Sequence, residues 1–477
     1  MPLFVNGAYT SQSWSADAER LMNWYPERME SQAATTRGAL YPTPGVEVFA
    51  TASNGGGRAM FAMNGRCFAV VGESLIEIDS SGAVTTRGTL AVDTNPATIC
   101  TNGDGGNQLF ITSGGNGYCF DLLTNTLTTE LTGTAQFGGM VYGYFVALNT
   151  TDSRFVISDA FDGTTWDPTQ FADRTIAADR WVSMVATTYG QVWLLGSQSS
   201  EVWYNAGTAP FPFAPDPSGL IPYGCAAPFS AKETKDSVVW LATTRTGGYQ
   251  VVQAKGFTPQ PISTHAVEYA ISQYDTVADA YGETYEDQGH AFYVLTFPSA
   301  QVTWVYDFNT GLWHERGTWI ADQGQYQAWR PTWHCFAFNQ HLWADRNSAT
   351  IYTAAIDLPL DVDGRPIRRL RRTPAVFREH QRLQIARLEV WLDAGVGTPT
   401  GQGQDPQVML RASTDGGRTW GPERTASAGA QGQYQARAQW WRLGQSRDRV
   451  FEVSVSDPVP WRLLDAFLTV QRSTEAA

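Results

Sequence analysis

The sequence predicts an all-β chain built around a β-propeller of about six or seven blades, and three observations carry that expectation. One hairpin pattern recurs across residues 51–360: a turn of Gly, Asn or Asp, an alternating apolar strand, a second turn, and a second strand ending in an aromatic residue or Asp. Within each hairpin the apolar residues follow a period of two, as half-buried strands require. The 477 residues include 45 Gly, 24 Pro and 18 Trp, a composition suited to many short strands joined by turns.

Residues 1–50 read as an extended N-terminal arm. They contain NWYPERMES from Asn23 and ALYPTPGVEVF from Ala39, in which Pro26, Pro42 and Pro44 forbid helix and extend the preceding backbone. Trp24, Tyr25 and Tyr41 need a surface to cover them.

The hairpins begin at Gly65, Gly106, Tyr142, Tyr189, Lys235, Gln288 and Phe338, roughly 36–53 residues apart. That spacing is the length of a four-stranded propeller blade, and each unit is expected to supply two adjacent strands of one blade. A sandwich of look-alike hairpins is the competing reading, but sandwiches rarely keep one spacing over so long a stretch.

Composition shifts near residue 360. Arg365, Arg368, Arg369, Arg371, Arg372, Arg378, Arg382 and Arg387 crowd a short stretch of an otherwise acidic chain. Leu383, Ile385, Leu388, Val390 and Leu392 then follow a strand pattern, and a Gly/Gln linker precedes further strands. Residues 361–477 read as a separate β-sandwich-like assembly domain.

The net charge of −13 sets the chain against sequence-specific nucleic-acid binding. Cys67, Cys100, Cys119, Cys225 and Cys335 are odd in number and widely spaced, which excludes a short-spaced zinc motif and suggests free thiols in a reducing cytosol. MPLFVNGAYTSQSWS lacks the basic-then-apolar pattern of a signal peptide, and no apolar run approaches the ~20 residues that span a bilayer.

Chemistry-bearing motifs are scarce. STDGGRTW, from Ser413 to Trp420, resembles the Asp-box turn of sialidase blades: Asp415 accepts backbone N–H bonds, Gly416 and Gly417 supply positive φ, and Trp420 packs the turn on the sheet. Looser forms occur at FDGTTWDP and DFNTGLWHE, and all three suit a structural role. Glycoside hydrolysis needs two facing carboxylates, and no motif marks them; Glu283/Glu286 and Asp361/Asp363 read as solvated loop pairs. His265, His290, His314, His334, His341 and His380 form no metal motif, and His334 and His341 read as packed or half-exposed beside Trp333 and Trp343. No phosphate-binding loop or nucleophile elbow is present, and no cofactor is expected.

The arginine cluster fits a protein interface, a solvated edge or a DNA track. Apolar residues among the arginines and the scarcity of Lys favour an interface with another subunit or an adaptor.

Asn23 to Glu27, Ala39 to Gly45, and Asp405 to Val459 together resemble the packaged-DNA stabilisation proteins of tailed phages, also described as tail hub or nozzle proteins. The resemblance spans most of the chain and implies a virion protein that assembles as a hexamer below the portal and its adaptor ring. It further implies a DNA channel extended by the ring, help in retaining the packaged genome, contacts to a tail plug or needle and to tailspikes or fibres, and no catalytic residues. A carbohydrate-binding or glycosidase-type propeller is the alternative.

Overall fold

The computed structural model describes residues 4–472, apart from 32, 175, 236, 245, 379 and 380; of the residues named above, His380 lies outside this set. Each of the seven hairpins becomes the middle pair of strands of one sheet, and inner and outer strands complete it. Gln108–Ser113 and Asn116–Asp121, for instance, lie between Thr98–Thr101 and Thr126–Leu131. The innermost strands are Gly57–Met63, Thr98–Thr101, Phe137–Val141, Trp181–Ala186, Lys232–Thr234, Tyr281–Asp287 and Pro331–Ala337, and each neighbours the next around a closed ring of seven blades.

Turn chemistry explains why the hairpins were visible. Asn64–Gly65, Tyr142–Gly143, Gln288–Gly289 and Phe338–Asn339 each place two consecutive residues at positive φ. That is the two-residue turn whose twist matches the flanking strands. Exposed outer strands carry proline, as in Phe213–Ile221 with Pro215 and Pro217, which leaves fewer free donors for edge-to-edge pairing.

The expectation of an arm for residues 1–50 is corrected: this segment is threaded through three sheets. Ala18–Met22 lies between the outer strand of blade six, Leu312–Ile320, and the strand Arg369–Arg372. Trp24–Arg28 pairs with Gly38–Pro42 in the second sheet of the C-terminal sandwich. Gly45–Thr51 then pairs with Thr350–Ala355 and completes blade seven, so both ends of the propeller's chain path close one blade. Gly45 is required there, because an added Cβ would sit 2.1 Å from the Leu358 carbonyl oxygen. Trp24 and Tyr25 are buried as a result.

The sandwich packs two sheets. One continues the sheet of blade six through Ala18–Met22 and Arg369–Arg372 into Asp448–Val455, Gln407–Ser413 and Arg424–Ser427. The other orders Trp24–Arg28, Gly38–Pro42, Leu463–Arg472, Leu383–Leu392 and Ala438–Ser446. Leu388, Val390, Leu410, Phe451, Val453, Trp440 and Trp461 fill the space between them, in one core cluster that runs on into blades five and six.

Candidate functional site: the domain junction and the propeller axis

Asn23 pins the junction. Its φ of 58° is a left-handed conformation that Asn tolerates better than most residues. Its Nδ2 donates to the carbonyls of Gly317 and Arg368, each at 2.8 Å, and its Oδ1 accepts the Gly317 N–H at 2.9 Å. Its own carbonyl accepts from the Thr43 N–H. The blade-six strand, the start of the arginine strand and the Thr-Pro-Gly turn thus meet on one residue, the first two through its side chain and the third through its carbonyl.

Two residues on, the Tyr25 ring meets Phe292 edge-on at 5.4 Å. Glu27 reaches the buried His290, whose Nε2 lies 2.5 Å from Glu27 Oε2 and whose Nδ1 lies 2.8 Å from Asp307 Oδ2. The Asp307 hydrogen bond, with help from Glu27, raises the imidazole pKa to about 9 despite burial, so both ring nitrogens donate at neutral pH. Asp307 also accepts from Asn309 N–H and Thr310 Oγ1, so the looser Asp-box at this turn does two tasks.

The arginine cluster divides. Arg371 is fully buried inside its own chain: Nη2 pairs with Glu19 at 2.5 Å, Nε donates to the Phe4 carbonyl and Nη1 to that of Gly7. Burial pulls its pKa down against the Glu19 charge and pushes that of Glu19 up. Two carbonyl acceptors and the Asn6 amide donating to Glu19 favour the ionised pair. Arg372 and Arg411 grip Glu452 from two sides, and Arg372 lies 4.9 Å from the centre of the Trp420 ring. Burial opposes the Glu452 charge, but the two arginines outweigh it and hold the carboxyl below its usual range. Arg369 donates to the Thr43 and Ile367 carbonyls, and burial lowers its pKa to about 10. Arg368 lies 4.4 Å from the centre of the Trp319 ring.

An interface between chains is therefore corrected for Arg369, Arg371 and Arg372: the interface they build is internal. The cause is topological. Their strand is flanked on both sides, by Ala18–Met22 and by Asp448–Val455, and the partner carboxylates Glu19 and Glu452 are distant in sequence. Arg365, Arg378 and Arg382 remain exposed, and Arg387 lies half-buried on the outer sandwich face beside Glu389 and Trp441.

At the Ser413–Trp420 turn, Asp415 accepts the N–H groups of Arg418 and Thr419 and the hydroxyls of Ser413 and Thr419. These bonds hold its carboxyl far below the usual range. Gly416 and Gly417 have φ of 73° and 90°, and Trp420 faces Arg372 and Arg411.

The propeller axis is a cup of about 520 Å³. Pro228 and Phe229 lie at one end, with Phe229 stacked on Phe137 at 4.7 Å, and Tyr142 and Gly190 lie at the other. Its wall is mostly apolar, with one ion pair, Lys232–Glu283, at 3.1 Å. Glu283 is thus a strand residue rather than a solvated loop carboxylate, and burial raises its pKa. Asp361 departs from expectation in the same way: it is buried, and its pKa rises to about 6. Among the described residues no three His, Cys, Asp or Glu side chains converge as metal ligands. His334 and His341 stack on one another at 5.2 Å, with Nε2 and Nδ1 3.0 Å apart. No described helix is long and apolar enough to cross a membrane.

Among solved structures, virginiamycin B lyase from Staphylococcus aureus aligns at 10% identity over 65% of this chain and 98% of its own, with a TM-score of 0.44. The computationally designed Ika8 protein aligns at 10% identity over 73% and 98%, with a TM-score of 0.39. No curated protein matches. Two family models match the sequence: bacteriophage P22 Gp10, beta-propeller, over residues 1–357, and bacteriophage P22 Gp10, beta-sandwich, over residues 368–471. The propeller joined to a sandwich is thereby that of a phage structural protein. The chain belongs to the Gp10 family, the packaged-DNA stabilisation proteins that its Asn23–Glu27, Ala39–Gly45 and Asp405–Val459 segments resemble.

Proposed function

We propose that this chain is a non-catalytic tail hub or nozzle subunit of the virion. In this reading it forms a homo-oligomeric ring, a hexamer, below the portal and its adaptor, extends the DNA channel, and helps retain the packaged genome. Tail plug or needle proteins and tailspikes or fibres dock on the same ring. The observation that carries the reading is the family match over both domains.

The propeller axis bears on the route of DNA. An axial cavity of about 520 Å³, lined by all seven innermost strands, is too small for a duplex whose major groove alone is about 12 Å wide. The DNA path in this reading therefore lies between copies of the chain. A ring of chains each of net charge −13 holds a polyanion weakly and lets it slide.

Electron microscopy of the purified protein with its adaptor ring tests the assembly: about six chains around an axial hole are expected. A compact monomer with measurable glycan affinity would instead support the carbohydrate-binding alternative. Particles lacking the protein should package DNA and then lose it, and full retention would refute the stabilising role. Turnover of a polysaccharide that one Asp or Glu substitution abolishes would refute the non-catalytic reading.

A further inference from the structure

Cys67 lies on the second strand of blade one, Arg66–Val71, and Cys335 on the innermost strand of blade seven, Pro331–Ala337. The two are 268 residues apart in sequence, yet their Sγ atoms are 3.6 Å apart inside one apolar cluster. The seam around them is tight: Trp333 Nε1 donates to the Gly57 carbonyl at 2.9 Å, and a Cβ on Gly57 would lie 2.6 Å from the Ala344 Cβ. The chain between the two cysteines runs through every blade in turn. One bond between these sulfurs would therefore turn the ring into a covalent circle, at the seam where blades one and seven already hold each other by packing and hydrogen bonds.

We propose that Cys67 and Cys335 form a disulfide across this seam when the folded chain meets a low-molecular-weight disulfide such as oxidised glutathione. One protein thiolate attacks the reagent, making a mixed disulfide and releasing one reagent thiol. The second protein thiolate attacks the protein sulfur of that mixed bond and releases the other reagent thiol. Two electrons pass from the cysteine pair to the reagent, and the two protein protons end on the two released thiols. The sulfurs must close from 3.6 Å to about 2.05 Å.

The reaction is gated by the seam. Both cysteines are buried, and Cys335 is held protonated by the neighbouring Cys67 thiol and by burial. A buried thiol of this kind is a poor nucleophile until local opening exposes it. The bond forms slowly in the native chain and faster where the seam breathes. Once formed, it is equally shielded from reduction.

The test incubates the full chain with oxidised glutathione at pH 8, with and without sub-denaturing urea, followed by alkylation and non-reducing proteolysis. Mass spectrometry should find one peptide pair joined through Cys67 and Cys335, two hydrogens lighter than the separate peptides, and more of it in urea. Cys67→Ala and Cys335→Ala should each lose it; near-UV circular dichroism of both confirms a folded chain. The oxidised protein should unfold at least ~10-fold more slowly in guanidinium than the reduced one, with no such difference in either variant. Glutathione adducts without the internal link, a link through Cys100 and Cys119 instead, or equal unfolding rates in both redox states would each overturn the proposal.

Discussion

Replacing Asn23 by Ala removes three hydrogen bonds at the point where the N-terminal segment joins blade six to the sandwich. At a net contribution of ~1 kcal/mol each, that is ~3 kcal/mol, and the Gly317 N–H is left buried without its acceptor. Ala must also adopt the left-handed φ of 58°, which costs it about 1 kcal/mol or more. The expected loss is ~4 kcal/mol. Asn23→Gly loses the same bonds but accepts positive φ, so it should be less damaging by ~1 kcal/mol. Guanidinium unfolding followed by tryptophan fluorescence reads the total, and hydrogen exchange of the Gly317 amide reads the site. An Ala variant within ~1 kcal/mol of wild type, or a Gly variant worse than Ala, would refute the argument that side-chain bonds and backbone conformation together place Asn at this position.

Arg371→Met should cost ~3–5 kcal/mol, because it strands the buried Glu19 carboxylate, and adding Glu19→Gln should recover part of that loss in urea melts. Gly45→Ala should leave blade seven unclosed, with a loss of at least ~2 kcal/mol and new proteolytic cleavage near residue 45, since its Cβ meets the Leu358 carbonyl. His290 has its folded pKa raised from 6.5 to about 9, so its stabilising contribution is complete below 6.5 and disappears as pH rises through 9; His290→Gln should flatten stability over that window. Burial pushes His314 the opposite way, to about 3, so the unfolded chain alone binds its proton between 6.5 and 3; stability should fall with acid there, and less in His314→Gln.

The hairpins were legible because each carries its own signal: a turn, such as Asn64–Gly65, that leads into two alternating strands, such as Arg66–Val71 and Ser74–Ile78. The inner and outer strands of the blades carry no such signal. Lys232–Thr234 and Phe171–Asp173 are three residues long, too short for a period to show. The fate of residues 1–50 depended on partners far away, such as Gly317 for Asn23 and His290 for Glu27, 294 and 263 residues off. The arginines posed the same problem. The apolar residues among them pointed to a subunit or adaptor interface, because nothing local distinguished a second chain from Glu19 and Glu452 of the same one. Glu283 and Asp361 misled for a related reason: a carboxylate in a loop-like stretch looks solvated until Lys232, or the packing around it, is placed beside it.

The sheet that runs unbroken from blade six into the sandwich has a mechanical consequence. A linker between two domains behaves as a hinge, whereas here any twist of the sandwich must shear the Ala18–Met22 strand away from Leu312–Ile320 and break the Arg20–Glu315 fork at 2.7 Å. Load applied to the sandwich therefore enters the ring through blade six and, by way of the strand Gly45–Thr51, through blade seven, and the chain responds as a single bracket.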